Sequence, residues 1–136
     1  MSQENMEIVR RAIEALLRRP KPDFATVNDL YHPDHEFISL VSALEGGSHR
    51  GARGYRDLMQ SIEETIQSRS RLEQVTEIDR DRVLAITPTS HEGRSSGVAL
   101  GEERFACIVT VRVGKIIRTE LYPSPEEALE AAGVAG

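Results

Sequence analysis

The chain has 136 residues, of which 39% are hydrophobic and 29% charged, so it is long enough to form one domain around a buried core. Lys and Arg number 17 against 22 Asp and Glu, and the net charge of -5 repels phosphate backbones. Trp is absent and only three Phe and three Tyr occur, which disfavours a stacking surface for single-stranded nucleic acid. We therefore expect a single domain over residues 1–136, ordered from about 3 to 133, that binds no nucleic acid.

The cysteine count and the N-terminal segment bear on location. The one cysteine, Cys107, cannot form a disulfide within the chain, which favours a cytoplasmic location. Charged residues interrupt the apolar positions between Glu4 and Glu14, so we expect neither a signal peptide nor a membrane-spanning segment. Because no glycine-rich phosphate loop follows an apolar strand, we expect no nucleotide cofactor.

The first part of the chain has helical periodicity. Apolar residues recur every three to four positions between Ile8 and Leu17, which predicts an amphipathic helix that ends before Pro20. Asp23 is a suitable N-cap for a second, short helix with an apolar face that runs from Phe24 to Tyr31.

A strand and a further helix are predicted next. The segment His32–Asp34 ends the second helix, and the apolar run Glu36–Val41 predicts a short strand. After Gly51, apolar residues from Tyr55 to Ile66 again have helical spacing, which predicts a helix.

The second half of the chain has the texture of strands separated by turns. Strands are predicted over Leu72–Ile78, Arg82–His91, Val98–Val113 and Lys115–Tyr122. The first of these also fits a helix or a bulged strand, because its apolar residues are three apart. Alternate residues from Phe105 to Val113 are apolar, a half-buried antiparallel pattern. Ser124 and Pro125 then open a short helix that stops near Gly133.

This element order resembles the cone-shaped nuclear transport factor 2-like (NTF2-like, or ketosteroid isomerase-like) fold, and specifically its SnoaL-like branch. The segments that carry the resemblance are Leu30–Asp34, His49–Gly51, Asp81–Leu84, Gly114–Ile117 and Glu126–Gly133. The resemblance implies an α+β cone, in which a curved, mostly antiparallel sheet wraps around N-terminal helices and leaves an internal pocket. It also implies a homodimer formed through the outer face of the sheet.

The families of this fold include ketosteroid isomerases, limonene epoxide hydrolases, polyketide cyclases and proteins without chemistry, so the fold does not select a function. At the general-base position of the isomerases this chain carries Ser39, and the acid position falls near Cys107. At the three catalytic positions of the epoxide hydrolases it carries Thr89, His91 and Glu120, of which only Glu120 keeps the chemical type.

These last positions give a catalytic hypothesis. His91 is the candidate general base, Glu120 its orienting partner or an acid, and Thr89 a group that polarises the substrate. In the alternative interpretation His91 lies in a solvated loop, while Glu120 pairs with Arg118 or Arg104. Arg104 itself either holds a substrate carboxylate in the pocket or pairs with Glu120 or Glu102 across the strands.

The expected pocket is mostly apolar and suits a small hydrophobic molecule with one or two oxygen functions. Its expected lining residues are Phe24, Tyr31, Phe37, Tyr55, Met59 and Tyr122, with Thr89 and Arg104 as polar contacts. The histidine and carboxylate cluster from His32 to Glu36 is dense enough to suggest a metal, but alternation along a strand separates its members, so we expect no metal site.

Two functions remain open at this point. One is a cofactor-free isomerase, cyclase or hydrolase that uses His91 and Glu120. The other is a ligand-binding or accessory domain without chemistry.

Overall fold

The computed structural model describes residues 2–18, 21–39, 48–50, 66–93 and 99–133. Within these ranges the chain forms three helices and seven strands. The helices are α1 (Ser2–Leu17), α2 (Phe24–Leu30) and α3 (Pro125–Ala132). The strands are β1 (Tyr31–Ser39), β2 (Ser48–Arg50), β3 (Ile66–Ser70), β4 (Gln74–Glu77), β5 (Arg82–Gly93), β6 (Ala99–Arg112) and β7 (Lys115–Tyr122).

All seven strands belong to one curled sheet. Its order is β2-β1-β7-β6-β5-β3, and β4 also pairs with β5. Strands β4 to β7 form an antiparallel meander, whereas β1 runs parallel to β7. The predicted α+β cone is thereby confirmed.

Helices cover both faces of the sheet. On one face, α1 and α2 pack against a cluster that includes Val83, Cys107 and Val109, and we call this the inner face. On the other face, α3 packs against Leu84 and Ile108, and we call this the outer face. Because successive residues of a strand point to opposite sides, these two clusters assign the side chains of the regularly paired parts of β5, β6 and β7 to a face.

The outer face of β6 is more buried than the sequence pattern indicates. Ala106 and Ile108 are 0% and 1% exposed, although the alternation predicted a strand with one solvated face. The physical reason is α3, which begins after the capping residue Ser124 and packs its Ala128 on this side. The predicted cap is confirmed, since the Ser124 hydroxyl accepts a hydrogen bond from the Glu127 amide.

Two predicted boundaries are wrong. Tyr31 begins β1, where it pairs with Ile116, and does not end the helix; its amide nevertheless caps α2 by donating to the Val27 carbonyl. Ile66 begins β3 and does not extend a helix. Apart from Ile66, the helix predicted after Gly51 lies outside the described residues. In both cases pairing with a neighbouring strand outweighs the local helical spacing.

Pro88 leaves the register intact. The pairing of β5 with β6 runs without a shift from Arg82 to His91, and the irregularity comes only after His91. The Pro88 carbonyl accepts a hydrogen bond from Arg71, which lies between β3 and β4. The missing Pro88 amide therefore faces that linker and not the β5–β6 ladder.

The turn between β6 and β7 contains a strained residue. Val113 has a φ of 51° and is fully exposed, and Gly114 follows with a φ of 74°. Two residues with positive φ between paired strands form a type I′ turn, which favours Asn-Gly and disfavours a β-branched side chain.

We expect Val113→Asn to raise the free energy of unfolding by about 1 kcal/mol in urea titrations. Val113→Thr removes the exposed apolar group but keeps the β-branch, and an equal gain from it would contradict the strain argument.

Candidate functional site

A buried histidine and threonine form the first polar group of the inner face. Phe37 of β1 lies opposite Thr119 of β7, which in turn lies opposite Val109 of the inner face. The His35 Nε2 atom is 2.9 Å from the Thr119 Oγ1 atom, and the two side chains are 0% and 6% exposed. The parallel pairing of β1 with β7 thus brings these two polar groups together away from solvent.

The surroundings of His35 are apolar. The Tyr31 ring and the imidazole pack in a T-shaped arrangement, with 4.5 Å between the ring centroids. The Nδ1 atom is buried and has no hydrogen-bond partner. Burial lowers the pKa of His35 from 6.5 to about 4, because it disfavours the charged imidazolium. The ring is therefore neutral at neutral pH.

A chain of hydroxyl groups forms the second polar group, on β3 and β5. Thr89 is 5% exposed, and its hydroxyl donates to the Thr87 carbonyl and lies 2.7 Å from the Ser70 hydroxyl. Burial raises the pKa of the Cys107 thiol to about 12, and the Thr87 side chain opposes this rise only weakly. Cys107 is therefore a small buried hydrophobe and not a nucleophile.

An apolar strip lies between the two polar groups. Its members are Phe37, Leu121, Cys107 and Phe105, which the register and strand alternation assign to the inner face. The residue of β5 level with Thr119 is Val83, two strands away, and Thr87 lies four residues after Val83. The Cα atoms of Thr87 and Thr119 are therefore roughly 15 Å apart.

Glu120 and Tyr122 lie on the outer face. Glu120 lies opposite Ile108, and Tyr122 lies opposite Ala106 in the cluster that packs against α3. The Tyr122 hydroxyl donates to a Glu120 oxygen at 3.0 Å, and the other Glu120 oxygen is 3.5 Å from Arg118. Burial, and then the hydrogen bond to Glu120, raises the pKa of Tyr122. The placement of Tyr122 in an inner pocket is therefore wrong.

The structure does not bring His91 and Glu120 together. Strand β6 separates their strands, and the residue of β5 level with Glu120 is Leu84, seven residues before His91. At about 3.3 Å per residue along a strand and about 4.8 Å between strands, the two Cα atoms are on the order of 20 Å apart. A direct hydrogen bond between the two side chains is excluded by this offset. The His91 side chain itself lies outside the described part of the chain.

Arg104 has a different partner from those expected. It lies two residues from Ala106 on the outer face, and its guanidinium donates to Glu73 at 2.6 Å. This hydrogen bond raises the pKa of Arg104. The side chain is 51% exposed, so it does not enter a buried pocket, and the expected pairs with Glu120 or Glu102 are wrong.

The remaining expected lining residues divide into two sets. Tyr31 and Phe37 are 7% and 3% exposed; the Tyr31 ring contacts His35, and Phe37 lies opposite Thr119 on the neighbouring strand. Phe24 begins α2 and is half-buried. Tyr55 and Met59 lie outside the described residues.

The sequence did not predict the placement of His35, which was a candidate only as a metal ligand. A signal was present, because His35 and Phe37 are two apart in an apolar strand and so share a face. His32 is turned away: its Nδ1 atom accepts a hydrogen bond from the Asp34 amide. Among the described residues no group of three His, Cys, Asp or Glu could hold a metal ion. No helix in that part of the chain is long and apolar enough to cross a membrane.

The buried imidazole makes stability depend on pH. Its folded pKa of about 4 is below the unfolded value, so between pH 6.5 and 4 the unfolded chain binds more protons and acid favours unfolding. We expect His35 to contribute up to about 3 kcal/mol of lost stability as the pH falls through this window. Urea titrations of wild type and His35→Gln at pH 4 to 7 measure the difference. His32→Gln is the matched control, and an unchanged pH slope in His35→Gln would refute the assignment.

Comparisons of sequence give no relatives, whereas comparisons of structure give many. No family model and no curated protein matches the chain. An NTF2-like protein from Burkholderia xenovorans LB400 is 23% identical, with a TM-score of 0.69 over 90% of each chain. TerC, co-crystallised with polyporic acid, is 19% identical, with a TM-score of 0.73 over 96% of this chain and 98% of its own. A proposed SnoaL-like polyketide cyclase from Mesorhizobium loti is 15% identical, with a TM-score of 0.65 over 85% of this chain and 96% of its own. The chain therefore has the NTF2-like, ketosteroid isomerase-like fold that SnoaL-like proteins share, as the sequence resemblance predicted.

Proposed function

We propose that the protein binds a small, largely apolar molecule with one or two oxygen functions on the inner face of its sheet. The observation that carries this proposal is the apolar strip between two buried polar groups, His35 with Thr119 on one side and Thr87 with Thr89 on the other. Ligand sites are typically apolar surfaces with a few polar groups that fix orientation.

The inner face favours an uncharged ligand. Its described buried polar side chains are threonines, the Cys107 thiol with a pKa of about 12 and the neutral His35 ring. A buried ionised ligand loses its hydration and gains no opposite charge from these groups. The TerC complex with polyporic acid supports a small organic ligand in this fold.

The structure supports ligand binding better than it supports acid–base catalysis in which His91 and Glu120 act as a pair. The register separates the two residues, and the Glu120 carboxylate already accepts from Tyr122 beside Arg118. A general base must lie within hydrogen-bond reach of the proton that it removes, and its orienting partner must lie within reach of the base. An isomerase, cyclase or hydrolase would have to use other groups of the inner face.

Two neighbours in β7 provide a matched test. Leu121 faces the inner strip and Glu120 the outer face, so we expect Leu121→Phe to block the site and Glu120→Gln to leave it intact. The probe is 2-tetralone, an uncharged ketone, with the melting temperature as readout. A ligand at about 100 times its Kd raises the melting temperature of wild type by roughly 5–15 °C. Loss of this shift in Glu120→Gln but not in Leu121→Phe would place the site on the outer face and contradict the proposal.

We also propose that the protein forms a homodimer through the outer face of its sheet. The apolar centre of the outer face packs against α3 of the same chain, so a second copy would contact α3 and the charged row formed by Glu36, Arg118 and Glu120. We expect light scattering to give twice the mass of 15.1 kDa, and a monomer at all concentrations would contradict it.

The buried, unpaired Cys107 thiol supports the expected cytoplasmic location.

A further inference from the structure

We propose that His35 recognises the ligand by donating a hydrogen bond from its Nδ1 atom to a neutral acceptor oxygen, such as a carbonyl, and that Thr119 fixes the hydrogen on that nitrogen. The inference rests on the proposed function, because the ligand is the one that binds the inner face. It adds the recognition residue and the chemical type of group that the ligand must present.

The hydrogen-bond accounting of the pair selects the position of the hydrogen. The hydrogen bonds of the described residues give the Thr119 hydroxyl no partner other than His35 Nε2. If Nε2 carried the hydrogen and donated to Thr119, then the Thr119 hydroxyl would lack an acceptor and Nδ1 would lack a donor. If Thr119 instead donates to Nε2, only the N–H group at Nδ1 remains without a partner. The second arrangement leaves one unsatisfied group and not two, so Nδ1 carries the hydrogen.

An unpartnered Nδ1–H group is an unusual feature of a folded core. Buried N–H groups without an acceptor are rarer than unpaired acceptors, because a lost donor bond is not compensated in an apolar environment. The Tyr31 ring packs against the imidazole in a T-shaped arrangement and gives Nδ1 no hydrogen-bond acceptor. An acceptor oxygen from a ligand would satisfy the group.

The His35 and Thr119 pair also determines which type of ligand oxygen can bind. A neutral ring offers a hydrogen-bond donor without a positive charge, so it favours a carbonyl over a carboxylate, whose charge would be buried without compensation. The side chain of Thr119 is held on β7 by its register with Phe37 and Val109, and its hydroxyl therefore orients the ring through Nε2. Thr119 is a positioning residue, and His35 is the residue that touches the ligand.

Ligand contact requires an opening. The His35 ring has no exposed surface in the structure. The groups that cover it must therefore separate from the inner face before an oxygen atom reaches Nδ1. The hydrogen bond that forms favours this opened arrangement, and binding couples to it.

The first experiment reads the tautomer directly. Nitrogen NMR of protein labelled at its four histidines, at pH 7, distinguishes a protonated Nδ1 from a protonated Nε2, and His35→Gln assigns the signals. We expect His35 to carry its hydrogen on Nδ1 in wild type, and part of the population to move it to Nε2 in Thr119→Val. A hydrogen on Nε2 in wild type would overturn the inference whatever the ligand.

The second experiment uses a matched pair of probes. In 2-tetralone a carbonyl oxygen is the acceptor, and in 2-methylenetetralin a methylene group of similar shape replaces it. By calorimetry we expect wild type to bind the ketone about ten-fold more tightly than the hydrocarbon, and His35→Phe to abolish this preference while binding of the hydrocarbon is kept. Thr119→Val, a smaller change, should reduce the preference in the same direction. Infrared spectra should show a lowered carbonyl stretching frequency for the ketone in wild type but not in His35→Phe.

The outcomes separate the two proposals. If both probes bind equally well to wild type and to His35→Phe, and the carbonyl frequency does not change, then the inner-face site stands and recognition by His35 is wrong. If neither probe binds wild type, then the inner-face site is wrong and the inference that rests on it fails as well.

Discussion

The arrangement of this protein depends on the hydrogen-bond register across β5, β6 and β7, which is regular on both sides of β6 from Ala106 to Thr110. Apolar side chains occupy both faces of these strands, so hydrophobicity alone does not decide which face meets α1. The charged residues decide it. A slip of one residue in β7 would turn Arg118 and Glu120 toward α1 and Thr119 toward α3. Burial of two charges under a helix costs far more than burial of a threonine, so the observed register is strongly favoured.

The sequence predicts the strands of this meander well. It predicts poorly which face of the sheet each helix covers and how the strands are offset from one another. Alternation from Phe105 to Val113 gives β6 its two faces, and Ser124 marks the start of α3. Alternation cannot say which face a distant helix will cover, because α1 and α3 both need apolar partners. It also does not give the offset between strands. His91 and Glu120 belong to predicted strands near each other in the chain, yet the length of the β5–β6 hairpin places them at different levels of the sheet.

Local periodicity fails for a related reason where strands compete with helices. Tyr31 and Ile66 continue a helical spacing, but each is taken up by a strand whose partner is distant in sequence. The same long-range pairing explains why the candidate site could not be read from spacing alone. His35 meets Thr119 across 84 positions, and only the parallel pairing of β1 with β7 brings them together.

A buried histidine that is only half satisfied is costly for a core of this size. An apolar residue at position 35 would avoid the loss of stability in acid and the unpaired nitrogen, which together are worth a few kcal/mol. Neither the T-shaped packing of Tyr31 nor the single hydrogen bond to Thr119 recovers this cost within the described part of the chain. Ligand contact at Nδ1 would recover it, and it would do so only for a ligand with an acceptor oxygen at that point. If the proposed ligand contact at Nδ1 forms, the feature that weakens the fold is also the one that selects the ligand.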